Sequence, residues 1–229
     1  MPPILISVSG LCKDYSGIKV LNGVSFDINT GETLGLFGKS GSGKSTIGRC
    51  LTRLEKSSKG EILFKGRDML KMKKREFSTI RPKVQMIFQH PETSLDPRMK
   101  AYQSIIEPML VQKLVKKPAV DGEVRRLLDL VGLHEEHLAR YPGQLSGGEI
   151  QRIVLARILS LKPEFIVADE PTSMLDVSVQ AQILRLMQKV QAETGVSYLL
   201  ISHDIEVLRI VCDRIAYLED GRISKIEKI

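Results

Sequence analysis

Cysteine is scarce in this sequence. The 229 residues hold three, Cys12, Cys50 and Cys212, odd in number and far apart. That pattern supports neither a disulfide framework nor a thiolate metal site, and it suits a reducing compartment such as the cytoplasm. The four histidines, His90, His134, His137 and His203, form no HExxH pattern, which argues against a metalloenzyme. No run of 18 apolar residues exists, so no membrane-spanning helix is expected. The opening MPPILISVSG has neither the basic start nor the sustained apolar core of a secretory signal. Internal repeats and low-complexity tracts are missing too.

What is present is globular in character. Apolar residues make up 42% and charged residues 27%, the composition of one large domain or a domain with a subdomain. The net charge of +7 is concentrated. Between Lys65 and Lys83 eight basic residues face only Asp68 and Glu76, and the stretch reads as a basic loop, either simply solvated or facing nucleic acid, lipid headgroups or an acidic partner. Phe77 is its only aromatic, which argues against stacking on single-stranded nucleic acid.

Periodicity divides the chain. Residues 4–37 read as strands, with Val24, Phe26 and Ile28 alternating with polar neighbours. A helix is predicted over 45–55, where Ile47, Cys50, Leu51 and Leu54 fall on one face. Ile62–Phe64 and then Val84, Met86 and Phe88 suggest two more strands. Segments 101–115 and 121–131 look helical, broken by Pro108, Pro118 and Gly122. A helix at 147–160, a strand at 164–169, a helix at 178–194, a strand at 197–202 and a helix near 204–212 follow. A hairpin turns at Asp220-Gly221. Strands alternating with helices imply a parallel sheet covered on both faces, with 97–160 as a mostly helical insertion.

Three motifs carry chemistry. Gly38-Lys39-Ser40-Gly41-Ser42-Gly43-Lys44-Ser45-Thr46 fits G-x-x-x-x-G-K-[ST], after an apolar strand and before a helix. Its glycines let backbone N–H groups surround phosphate oxygens, and the helix start adds its positive end. Lys44 can reach the β- and γ-phosphates, Ser45 can ligate Mg²⁺, and Thr46 would lie near the α-phosphate. The apolar strand Phe165–Ala168 ends in Asp169 and Glu170. There Asp169 would face the metal and Glu170 would polarise an attacking water. No N-K-x-D tetrad for guanine occurs. His203 follows the apolar run Tyr198–Ser202 at the same sheet edge, suited to a γ-phosphate contact. Leu145-Ser146-Gly147-Gly148-Glu149 begins a helix, a second anion site about 100 residues from the first. Two such sites make sense if two chains clamp a shared nucleotide head to tail.

The order Tyr15, GKSGSGKST, Gln89, LSGGE, IVADE, SMLD, His203 resembles the ATP-binding cassette family, the nucleotide-binding subunits of ABC transporters. The resemblance covers essentially the whole chain. It implies a RecA-like P-loop NTPase core with an antiparallel β-subdomain and a helical signature subdomain. Residues 1–90 and 161–229 would form the core with its β-subdomain, and about 91–160 the helical part. It implies ATP and Mg²⁺ as cofactors, with Tyr15 stacking on adenine and Gln89 sensing the metal and the membrane partner. Ser146, Gly147 and Gly148 would contact ATP held by a second cassette, and Asp176 would lie at that seam. Lys44, Gln89, Glu170 and His203 would carry catalysis, with Ser45, Gln89 and Asp169 at the metal. The implied partners are a second ATPase subunit, identical or not, integral membrane permease subunits and, indirectly, a solute-binding protein. The implied place is the cytoplasmic face of the membrane, as a peripheral subunit. No nucleic acid partner is expected.

Within the family, Ile87–Met99 and Leu175–Gln182 are similar to the peptide and nickel importer ATPases. His90 stands where that branch has aspartate, Met174 where a small residue is usual, and Glu149 where glutamine is commoner. The sequence ends at Ile229, before the C-terminal extension common in the peptide branch, which leaves the expected solute open between peptide, nickel and another small molecule. Ser146 and Glu149 are spaced as a capping box. The competing function is a soluble, non-transport ABC ATPase acting on nucleic acid or ribosomes. Such proteins usually carry two cassettes or a long coiled-coil insertion, and neither is present.

Overall fold

The structure, a computed structural model, describes residues 2–229, apart from the side chain of Lys117. Met1, part of the opening read above, lies outside them. The described residues fall into two compact units. One comprises the chain up to Met86 with Glu164–Glu170 and Gly195–Ile229; the other comprises Ile87–Pro163 and Pro171–Thr194.

The first unit holds two sheets. Strands β1 (Ile4–Tyr15), β2 (Ile18–Asn29), β4 (Lys59–Phe64) and β5 (Arg67–Asp68) form an antiparallel sheet in the order β2-β1-β4-β5. The larger sheet runs β10 (Arg222–Lys228), β9 (Arg214–Glu219), β3 (Thr33–Phe37), β8 (Ser197–Ser202), β7 (Phe165–Asp169), β6 (Val84–Ile87). In it β9, β3, β8 and β7 are mutually parallel. Every residue of β7 is buried, as expected for a parallel strand covered on both faces. One apolar core joins the sheets: Leu5, Val8 and Phe26 pack with Leu36, Val167 and Ile201 and with Ile47 and Leu51 of α1 (Lys44–Leu51). The β9–β10 hairpin turns at Asp220 and Gly221, both with positive φ, as the sequence predicts.

The second unit is helical. Its helices α3 (Ala101–Val111), α4 (Val120–Val131), α5 (Gly147–Leu159) and α6 (Val177–Thr194) bury Ile105, Met109, Leu127, Val131, Ile153 and Val154. No helix among the described residues is long and apolar enough to cross a membrane.

Five local expectations need correction. Helix α1 stops at Leu51, capped at Thr52, with Arg53 in the left-handed region. Leu54 is therefore outside it and 60% exposed, not on its apolar face. The basic stretch is no loop: it carries β5 and α2 (Lys74–Ile80), anchored by buried Met69, Phe77 and Ile80, with the Arg53 guanidinium 4.4 Å over the Phe77 ring. Phe88 lies beyond β6 and is exposed, while Ile87 is buried in its place. Pro108 sits inside α3 rather than ending it. A proline removes only the ladder bond of its own missing N–H, here to the Ser104 carbonyl, and buried Ile105 and Met109 hold the turn in place. Gly122 falls in the first turn of α4, where backbone N–H groups have no ladder partner to lose.

Gly48 lets α1 lie against the parallel sheet, because a Cβ there would meet Val167 Cγ1 at 2.8 Å. Alanine in a helix normally gains about 1 kcal/mol over glycine. Overpacking against a fully buried strand costs about 1–3 kcal/mol. Gly48→Ala should therefore lower unfolding stability, by about 1 kcal/mol net, in a denaturant titration. A stability gain would mean that α1 can move off β7 freely.

Candidate functional site

The parallel register assembles the site. Phe37 pairs with Ser202, and Asp169 with Ile201, so β3, β8 and β7 end level with one another. The phosphate loop leaves β3, Asp169 and Glu170 close β7, and His203 follows β8. Ligands of open α/β sheets bind at this carboxyl edge.

The loop needs its glycines for space and for backbone shape. A Cβ on Gly38 would lie 2.7 Å from the Leu218 carbonyl oxygen, and one on Gly43 would lie 2.8 Å from Leu21 Cδ2. Gly43 also caps α1 in the left-handed region, at φ 102°, which L side chains adopt only under strain. Lys44 is buried, and its Nζ donates to the carbonyl oxygens of Gly38 (2.7 Å) and Lys39 (2.9 Å). Burial lowers its affinity for a proton, and the carboxylates of Glu170 and Asp169 oppose that effect. A cavity of about 730 Å³ lies against the loop, bounded by Lys39–Ser42, Val20 and the Tyr217–Gly221 hairpin.

Ser45 Oγ donates to Asp169 Oδ1 at 3.1 Å. Asp169 is 4% exposed, and burial raises its carboxyl above the ordinary range, although the Ser45 bond pulls the other way. Glu170 lies in the left-handed region at φ 45°, its N–H donating to the Ile201 carbonyl. His203 Nδ1 stands 3.2 Å from Glu170 Oε1. Phosphate and Mg²⁺ fit this donor set. Ser42 Oγ is buried without a hydrogen-bond partner, an orphan that a phosphate oxygen would satisfy. The Ser45–Asp169 pair offers the hard oxygen donors that Mg²⁺ takes.

Tyr15, at the end of β1, has the Lys13 ammonium 4.6 Å over its ring. Burial pushes its hydroxyl above the ordinary range, and the nearby Glu55 carboxylate adds to that effect. Lys13 is itself pinned by Glu55 at 3.3 Å and by the Lys56 carbonyl at 2.8 Å.

The remaining predicted residues belong to the helical unit. Gln89 follows β6 and is exposed. Ser146 caps α5, Glu149 Oε2 accepts from Ser146 N–H at 2.7 Å, and Ser146 Oγ accepts from Glu149 N–H at 3.3 Å, which is the expected capping box. A Cβ on Gly147 would meet Leu175 at 3.0 Å, and one on Gly148 would meet Val179 at 2.8 Å. Asp176 Oδ1 accepts from the N–H groups of Ser178 and Val179 and from Ser178 Oγ, so its carboxylate starts α6. These bonds hold its carboxyl below the usual range. No motif assigns a role to Lys13, Glu55 or His137. Their partners are distant in the chain or offset by turns, and no motif spacing marks them.

Comparison with known proteins agrees with this geometry. The family profile described as ABC transporter matches residues 21–173. The oligopeptide transport ATP-binding protein OppF of Streptococcus mutans is 50% identical over 210 residues, 91% of this chain and 68% of the relative. The dipeptide transport ATP-binding protein DppF of Lactococcus lactis is 47% identical over 211 residues, with the same two coverages. An ATP-binding cassette solved as a dimer in a post-hydrolysis state with ADP and phosphate superposes with a TM-score of 0.87 at 30% identity, covering 98% of each chain. The phosphate loop, the acidic strand end and these likenesses agree: the chain belongs to the ABC transporter family, as one of its ATPase cassettes.

Proposed function

We propose that the chain is the ATP-hydrolysing subunit of an importer that takes up peptides through a separate membrane permease. The observation that carries the reading is the convergence, at one sheet edge, of the phosphate loop, the Ser45–Asp169 pair and the Glu170–His203 pair. Relatives named for oligopeptide and dipeptide transport favour peptide over nickel, and favour transport over the ribosome- or nucleic-acid-directed alternative.

In this reading the loop N–H groups and Lys44 bind the β- and γ-phosphates, with Lys39, Ser40, Gly41 and Ser42 forming the turn around them and Thr46 at the α-phosphate. Bound Mg²⁺ would neutralise phosphate charge, held through Ser45 and Asp169, with Gln89 as its further contact. Glu170 accepts a proton from the attacking water, and His203, 3.2 Å from that carboxylate, contacts the γ-phosphate. Tyr15 stacks on adenine. Ser146, Gly147 and Gly148 of a second cassette close over the γ-phosphate, with Asp176 at the seam. Residues 1–90 and 161–229 act as the core with its β-subdomain, and about 91–160 as the helical part that meets the permease. The subunit works at the cytoplasmic face of the membrane, and a solute-binding protein delivers cargo to the permease.

Asp169 illustrates a conflict between stability and function. Its folded-state carboxyl is raised, so the folded chain holds that proton more tightly than the unfolded chain does. The stability tied to this group is present below the ordinary carboxylate range and is lost as pH rises through the raised value. At neutral pH the buried charge is therefore a burden, accepted for the metal.

Asp169→Asn should raise the melting temperature at neutral pH without nucleotide, and should remove Mg²⁺-dependent hydrolysis. Thermal melts at neutral and mildly acidic pH check it, since the gain should shrink as the wild-type carboxyl protonates. A lower melting temperature at neutral pH would show that Lys44 and Arg49 outweigh the burial cost.

Glu170→Gln tests the function directly. The amide cannot take the proton of the attacking water, so turnover should fall by about 10²–10⁴-fold while ATP binding survives. Size-exclusion chromatography with MgATP should then show a trapped dimer, alone or with a sister cassette. Hydrolysis at the parent rate would remove Glu170 from the mechanism.

A further inference from the structure

Glu149 has two demands on it. As the third residue of α5 its carboxylate caps Ser146 N–H. The same helix start leaves the N–H groups of Gly147 and Gly148 outside the helical ladder, where they attract anions. A carboxylate in that first turn weakens the positive field on which an anion site depends. The bonds to Ser146 and, after them, His137 hold its carboxyl below the ordinary range, so the group is charged at neutral pH.

The structure surrounds that charge. His137 is buried, and its Nε2 lies 3.0 Å from Glu149 Oε1. Arg140 Nη1 lies 3.6 Å from the same oxygen and also reaches Glu136 at 3.2 Å through Nη2. Since an ionised carboxylate only accepts, the His137 proton on this side must sit on Nε2. Its Nδ1 faces both the N–H (3.1 Å) and the carbonyl (2.9 Å) of His134. A neutral ring accepts from the first and a charged ring donates to the second, so the bond to Glu149 persists in either state. The His134 ring stacks on it with centroids 5.9 Å apart.

We propose that His137 and Arg140 are positioning residues for the signature: they fix Glu149 in its capping role and balance its charge, so that Ser146–Gly148 can receive the γ-phosphate of ATP held by a second cassette. The proposal rests on the reading of the chain as an ATP-hydrolysing cassette and goes beyond it in assigning these two side chains.

The test measures MgATP turnover against ATP concentration, with the sister cassette supplied where activity requires it. His137→Ala should raise KM for ATP by about fivefold to tenfold, with a smaller change in kcat, as expected for losing a charge-assisted hydrogen bond. Arg140→Ala, at a half-exposed site, should shift KM in the same direction by less. The deciding measurement adds Glu149→Gln to each. The amide can still cap Ser146 N–H but brings no charge, so KM should return to within about twofold of the parent if charge balance is the role. If His137→Ala does not fold, as judged by circular dichroism, the Arg140→Ala cycle decides alone. Unchanged KM in the folded single variants, or a defect that Glu149→Gln does not relieve, would overturn the assignment. Parent hydrolysis that Lys44→Ala abolishes leaves the ATPase reading standing in that event. A parent without hydrolysis would sink both.

Discussion

The chemistry of this cassette hangs on the parallel register of β7, β8 and β3. Because Asp169 lies level with Ile201 and Phe37 with Ser202, three loops of distant sequence emerge side by side. A slip of one residue would turn each side chain to the opposite face. Asp169 would then leave the side on which Ser45 Oγ reaches it. The register is held by apolar burial: Phe165, Val167, Leu199 and Ile201 are all fully buried. Close approach of α7 (Ile205–Val211) and its C-cap adds to this, since a Cβ on Gly35 of β3 would lie 3.0 Å from Cys212 Sγ and 3.2 Å from Leu208.

Around that frame the protein accepts several locally unfavourable features. Lys44 and Asp169 are buried with opposed charges, Ser42 Oγ lacks a partner, and Glu170 lies in the left-handed region. A backbone of that kind costs about 1–3 kcal/mol for a non-glycine residue. Here the Glu170 N–H bond to the Ile201 carbonyl helps to hold it. Such defects gather where a ligand is to complete the structure. Burial of the remainder of the core offsets them.

The sequence made the chemistry legible wherever a motif spans a few consecutive residues. The phosphate loop, Asp169-Glu170, His203 and the signature each follow from local spacing and a neighbouring strand or helix. Glu149 as a capping residue was readable for the same reason. His137 and Arg140 were not, because their relation to Glu149 runs through the turns between α4 and α5 and has no period. Tyr15 could be placed, but not the Lys13 ammonium over its ring or the Glu55 that pins Lys13, because Glu55 is 40 residues from Tyr15 in the chain. Helix ends were the weakest part. Leu54 kept the apolar period after the backbone had already left the helix at Thr52, and Pro108 looked like a breaker although packing overrides it. The basic stretch misled because its charge count hid the four apolar anchors Met69, Met72, Phe77 and Ile80.

The close fit of the signature glycines against the start of α6 has a consequence for descent. A methyl group at Gly148 would overlap Val179 Cγ1 at 2.8 Å so long as Val179 keeps its branch, whereas at Gly147 the flexible Leu175 end, 3.0 Å away, would have to give only slightly. A lineage can enlarge position 148 without strain only after position 179 has shrunk, so the order of the two changes matters and the reverse path crosses a strained intermediate. Two segments about 30 residues apart, each a separate motif on paper, thus evolve as one contact.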